Sequence, residues 1–134
     1  MKFDNKSLKK MIFTDEQIFK YFLSAEKCLQ IAETVRIPEV VFKFSYDALL
    51  KLGITLIAKE GYKIRMIAGH HIKILEKTSE ILNDQTIASI GNIMRTQRNF
   101  DLYDAGTLIS KKQSDEYLEF VKKVFIATKK FIYG

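Results

Sequence analysis

Arg98 stands where an apolar side chain is expected. It lies four residues after Met94 and four before Leu102, on a stripe with Ile87 and Ile90 that marks the inner face of a helix. Taking a guanidinium out of water without a partner is expensive. Either an acid pairs with it, with Asp47, Asp101 and Asp104 as the candidates, or the stripe opens there into a groove or a subunit interface. In a groove, the planar fork of donors suits a phosphate, or the charge that builds on a phosphorane. Asn99 and Asp101 flank the arginine, Tyr103 and Asp104 follow, and a glycine-containing loop continues from there. This run is the candidate pocket wall.

The other chemically capable side chains are few. His70 and His71 are neighbours, and neighbours on a helix point about 100° apart, which argues against joint ligation of one metal. His71 falls on an apolar face and reads as a core histidine, while His70 reads as the more exposed of the two. Cys28 sits beside Leu29 on an inner face and reads as a small buried hydrophobe. There is no carboxylate-rich motif, no glycine-rich phosphate loop and no nucleophile elbow, so neither a metal nor a cofactor is expected.

Helices must position these residues. Thr14-Asp15-Glu16-Gln17 is a capping box, and Ile18, Phe22, Ala25, Leu29 and Ala32 follow at helical spacing. A second helix starts at Pro38 and runs to about Glu60, with Gly61 as its stop. It is apolar nearly all round, with one polar stripe of Lys43, Asp47, Lys51, Thr55 and Lys59, and should be the central helix of a bundle. A third runs from about Ile67 to Leu82, with Ile67, His71, Ile74, Thr78, Ile81 and Leu82 on one face. After the turn Asn83-Asp84 a fourth begins near Thr86. Gly91 inside it costs about 1 kcal/mol relative to alanine, which a close helix approach would explain. Ser110-Lys111-Lys112-Gln113 is a second capping box, opening a last helix. Its inward set is Tyr117, Phe120, Val121, Val124, Phe125, Thr128, Phe131 and Ile132.

Composition bounds what such a bundle can be. The 134 residues suit one domain, 1–134, with 1–13 as an N-terminal extension. An apolar share of 47% supplies a real core, and one proline with six glycines favours long helices over an all-β fold. A single cysteine permits no internal disulfide and suits a reducing compartment. The lysine-rich start does not resemble a signal peptide, and Lys43, Asp47 and Lys51 interrupt the longest apolar stretch, so a cytoplasmic protein without a membrane span is expected. The formal charge of +6 suits a phosphate-bearing partner, or lysines that merely solvate helix faces.

Three stretches together resemble the HEPN family, prokaryotic domains of four to five helices often encoded beside small nucleotidyltransferases. Phe44-Ser45-Tyr46-Asp47-Ala48-Leu49-Leu50 with Ala58-Lys59-Glu60-Gly61-Tyr62 is similar to the family's long second helix and its closing glycine. Ala68-Gly69-His70-His71-Ile72 is similar to the start of its third. Arg98-Asn99 with Tyr103-Asp104, then Ile109-Ser110 and the final amphipathic helix, is similar to its signature region. The likeness covers about Asp15 to Tyr133. It implies an all-α, up-and-down bundle of four to five helices.

Active members of that family are metal-independent ribonucleases whose motif pairs an arginine, often followed by a polar residue, with a histidine a few residues on, two copies meeting in a dimer. Arg98 and Asn99 fit the first two positions, and Tyr103 stands where the histidine belongs. Histidine titrates near about 6.5 and tyrosine near about 10, so only about one tyrosine in a thousand is ionised at neutral pH. Making Tyr103 a base takes a shift of roughly 3 units, about 4 kcal/mol. His70 is the alternative proton carrier. The resemblance therefore implies a homodimer with a degenerate ribonuclease motif, Arg98 and Tyr103, that binds a nucleotide, an RNA or a partner nucleotidyltransferase. Its ligand groove would use Arg98, Asn99, Asp101, Tyr103, Asp104, Asp47 and His70, within a toxin–antitoxin or defence-type module. The alternatives are a metal-independent ribonuclease toxin and a structural protein-interaction module.

Overall fold

The computed structural model describes residues 6–103 and 109–134, and the side chains of 101–103 lie outside that description. In chain order its elements are β1 (Leu8–Lys10), α1 (Asp15–Thr34), α2 (Pro38–Lys59), β2 (Tyr62–Ile64), α3 (His70–Leu82), α4 (Gln85–Tyr103) and α5 (Lys111–Tyr133). The fold is an all-α bundle with one small two-stranded ribbon.

Both capping boxes form. The Gln17 amide donates to the Thr14 hydroxyl (3.1 Å) while the Thr14 amide donates to the Gln17 carboxamide (2.8 Å). Gln113 and Ser110 make the same exchange at the start of α5, at 3.1 and 3.3 Å. Asp84 accepts the Thr86 amide (3.0 Å) ahead of the α4 interior, and Asn83 before it takes the left-handed conformation that ends α3.

The central helix is α2. Val41, Phe42, Tyr46, Leu49, Leu52 and Leu56 are among its buried residues, and α1, α3, α4, α5 and β2 all pack on it. Its expected polar stripe is interrupted at Thr55, which is fully buried. The Thr55 hydroxyl donates to the Lys51 carbonyl one turn back (2.7 Å), so the side chain brings its own acceptor and needs no water.

Two glycines let α3 approach closely. A Cβ on Gly53 of α2 would lie 2.5 Å from Ile74 Cγ2 and would also run into Thr78 Oγ1. A Cβ on Gly91 of α4 would lie 2.7 Å from Leu75 Cδ2. The close approach expected at Gly91 is present, and Gly53 provides its counterpart on the other side of α3.

Three details depart from the sequence pattern. First, α3 begins at His70 rather than Ile67, because Gly69 adopts a left-handed backbone (φ 81°) and holds the preceding residues out of the helix; Ile67 is consequently exposed. Second, Phe131 near the end of α5 is exposed, and Leu118 takes an inward place that the pattern did not assign. Third, the first thirteen residues contain β1, which pairs antiparallel with β2 in the register Leu8↔Ile64, Lys9↔Lys63, Lys10↔Tyr62. Leu8 is fully buried.

The ribbon follows from topology. Tyr46 meets His71, and two turns further along each helix Gly53 meets Thr78. The two helices therefore run in the same sense. The chain must travel back along α2 before α3 can start, and β2 is part of that return, with β1 as its pairing partner.

Candidate functional site

The register between α3 and α4 fixes where the arginines fall. Ser79 Oγ accepts the Ala88 amide (2.7 Å), and Leu75 lies against Gly91. Continuing this antiparallel alignment by one turn brings Arg95 level with His71, and a further turn brings Arg98 level with the start of α3. Tyr46 reaches the same place from α2, where its hydroxyl lies 3.1 Å from His71 Nδ1. Three helices thus converge on Tyr46, His71, Arg95 and Arg98. Asp47 and His70 complete the surroundings, near enough for the charges to act on one another.

Each side chain is held differently. Tyr46 is buried and its ring is tilted against His71, with centroids 5.8 Å apart. His71 is half-buried. The two histidine rings lie edge to face with centroids 4.5 Å apart. His70 Nδ1 lies 2.9 Å from the Ile67 carbonyl oxygen. A carbonyl only accepts, so Nδ1 carries the proton and Nε2 carries the lone pair in the neutral ring. The Arg95 Nε donates to the Asn92 carboxamide (3.3 Å) on its own helix. Arg98 is half-buried and forms no ion pair among the described residues.

The salt bridge considered between Arg98 and Asp47 is not the one formed. Lys43, one turn earlier on α2, holds the Asp47 carboxylate at 2.9 Å. An exposed i,i+4 pair of this kind is worth about 0.3–0.5 kcal/mol. It draws the carboxylate towards its own helix, although Asp47 still raises the pKa values of both Tyr46 and His71.

The electrostatics are cationic. Burial pushes the Tyr46 hydroxyl up to about 12, against the opposing pull of Arg98 and Arg95. Tyr46 is therefore a hydrogen-bonding partner and not a base at neutral pH. Burial also lowers the His71 pKa below 6.5, and the nearby His70, Arg98 and Arg95 lower it further. A neutral His71 and a protonated Tyr46 have two proton arrangements. If Tyr46 donates to Nδ1, His71 presents an Nε2–H donor. If Nδ1–H donates to Tyr46, Nε2 presents a lone pair. The first suits holding an anion, and the second suits accepting a proton.

The structure thus brings Arg98, Asp47 and His70 of the expected site together. Asn99 is half-buried on α4, with no polar contact tying it to this cluster among the described residues. The side chains of Asp101 and Tyr103, and Asp104 altogether, lie outside the described residues. Three members were missed from sequence: Tyr46, His71 and Arg95. Arg95 and Arg98 stand at i,i+3 on one helix, and Tyr46 brings a polar tip into an otherwise apolar face. Those spacings are weak signals for Arg95 and Tyr46, and His71 carries none beyond its place on an apolar face. No group of three or more histidine, cysteine or acidic side chains suited to a metal occurs among the described residues. Among them, too, no helix is long and apolar enough to cross a membrane.

No protein-family model, curated protein or solved structure matches the chain.

Proposed function

We propose that this chain binds a phosphate-bearing ligand, a nucleotide or an RNA, between α2, α3 and α4, through Arg95, Arg98 and His71. The observation that carries the reading is the convergence of two guanidinium groups on the Tyr46–His71 pair, with no ion pair for Arg98 among the described residues. An anion there would balance the two guanidinium groups, since the Asp47 carboxylate is already held by Lys43. Bidentate, charge-assisted hydrogen bonds are the contacts arginine makes best with phosphate. The resemblance to the HEPN family points to the same class of ligand, and it alone supports a nucleotidyltransferase partner and a toxin–antitoxin or defence setting. For a homodimer there is also a physical ground. The outer face of α4 exposes Ile93 and Phe100 beside Asn92, Thr96 and Gln97, an uncharged patch on a chain of net charge +6. Two such chains repel least where neither carries charge. Light scattering tests this, and a strict monomer counts against it.

The test of binding is Arg98→Ala, titrated with a fluorescent single-stranded RNA and with AMP. Hydrogen bonds to charged groups contribute about 1.5–3 kcal/mol, so affinity should fall about tenfold to a hundredfold. Unchanged affinity for both ligands would sink the proposal.

A second reading, a metal-independent ribonuclease, has its own observation. A neutral His71 beside Arg98 offers the proton carrier that Tyr103 does not. His71 Nε2 would take the proton from a ribose 2′-hydroxyl. The freed oxygen would bond to phosphorus, and the 5′ oxygen would leave with the bonding pair and pick up a proton. The products are a 2′,3′-cyclic phosphate and a 5′-hydroxyl, and the arginines would stabilise the phosphorane between. RNA left intact by the parent protein in EDTA, at micromolar concentration, argues decisively against it.

A further inference from the structure

Beside the start of α3 lies a recess of about 470 Å³, walled by the end of β2, the connection from Arg65 to Gly69, the first turn of α3 and the residues just before β1. We infer that this recess is a second nucleotide subsite, so that the ligand of the Arg98 cluster is a single-stranded polynucleotide rather than a mononucleotide. The inference rests on the proposed phosphate site and extends it.

The size and lining fit. A volume of this order lies within the range of small-molecule sites, roughly 300–1,000 Å³. Lys6, Arg65, His70 and Lys73 line it with basic groups, and Ile64 and Ile67 supply apolar wall. Cations suit the phosphates, and apolar wall suits the face of a base or sugar. Lys73 also meets Glu76 at 3.2 Å. The fold holds the walls in place. The Arg65 amide donates to the Ser7 carbonyl (2.8 Å), tying the connection to the N-terminal segment. The His70 amide donates to the Ile67 carbonyl (3.1 Å), and His70 Nδ1 engages the same oxygen.

Continuity turns two sites into one track. His70 lines the recess, and its ring touches that of His71, which belongs to the Tyr46–Arg98 cluster. The α3–α4 register also brings Arg98 level with the start of α3, on the recess side of His71. A phosphate at the arginines and a nucleotide in the recess would therefore share His70 as a common wall, as neighbouring units of one strand do. Peripheral binding to an anionic membrane is typically made by an amphipathic helix or a run of clustered lysines and arginines. Here the basic groups line a concavity, which favours a strand.

The experiment compares two ligands and two sets of variants. Fluorescence polarisation follows a labelled single-stranded RNA of about ten nucleotides, a length within the site sizes of strand-binding grooves, and AMP is measured by calorimetry. Lys73→Ala and Arg65→Ala should each weaken RNA binding about fivefold or more. Each should flatten the salt dependence, log K against log salt, by about 0.7, the share of one neutralised phosphate on a single strand. Neither should change AMP affinity by more than about twofold, whereas Arg98→Ala should weaken both ligands. Lys6→Ala, at a residue outside every helix and strand, repeats the test without touching an element. Suppose RNA affinity and slope survive all three recess variants while Arg98→Ala weakens RNA: the second subsite is then wrong and the phosphate site stands. If Arg98→Ala changes neither ligand, the phosphate site fails, and the continuous track with it. Recess variants that abolish binding to phosphatidylserine vesicles but spare RNA overturn the inference in favour of a lipid surface.

Discussion

Gly53→Ala tests the contact that sets the distance between α2 and α3. The added methyl would sit 2.5 Å from Ile74 Cγ2 and would also meet Thr78 Oγ1, where carbon pairs prefer about 3.5–4.0 Å. Neither neighbour can swing away. Ile74 and Thr78 are both buried, and the Thr78 hydroxyl donates to the Ile74 carbonyl at 2.7 Å. The helix itself has to move. Overpacking of this kind costs about 1–3 kcal/mol, and alanine returns about 1 kcal/mol through its better helix propensity. Two neighbours in conflict put the cost near the upper end, so a net loss of about 2 kcal/mol is expected. The displacement also reaches the candidate site, because Tyr46 and His71 meet two turns, about 11 Å, further along the same pair of helices. Urea unfolding at constant slope gives the stability change, and the His71 imidazole titration by NMR reports its neighbours. A variant as stable as the parent, with an unmoved His71 titration, would refute the reasoning, since α3 would then not be seated against Gly53.

Gly91→Ala should cost less, about 1 kcal/mol or under after the propensity gain, because its conflict is with the end of the Leu75 side chain; the same urea series checks the order of the two. Leu8→Ala should cost about 2–5 kcal/mol, since the side chain is fully buried under a ribbon of three residues a strand, and thermal unfolding measures it. His71 makes stability depend on pH. Its pKa is lowered in the folded chain, so the unfolded chain protonates first as pH falls through 6.5, and the stability present above that value declines until the folded group titrates too. Arg98→Gln removes a positive neighbour, so it should raise the His71 pKa and shrink that decline between about pH 8 and about pH 5.

The local features were the legible ones. Thr14 with Gln17 and Ser110 with Gln113 announce helix starts because a capping box is complete within four residues. The central place of α2 follows from its lack of a broad polar face. What stayed hidden depends on contacts distant in sequence. Three-residue strands are too short to show alternation, and Leu8 stands among lysines. His71 looked like a core histidine, and it does lie partly inside, but its hydroxyl partner comes from another helix. Arg95 stays inconspicuous in the sequence because its significance lies in what it faces across the α3–α4 register. The start of α3 is hard to place because a glycine's left-handed turn leaves no trace in hydrophobic spacing.

The pairing of β1 with β2 also bears on synthesis. Lys10 leaves the ribosome 52 residues ahead of its partner Tyr62, and at about 5–20 residues per second the wait is about 3–10 s. Throughout that interval Leu8 is an apolar side chain on an unpaired strand edge. Lys6, Lys9 and Lys10 crowd around it, and charges beside an exposed strand are what keep it from joining a strand of another chain. Those lysines guard the nascent protein before any ligand is there to be bound.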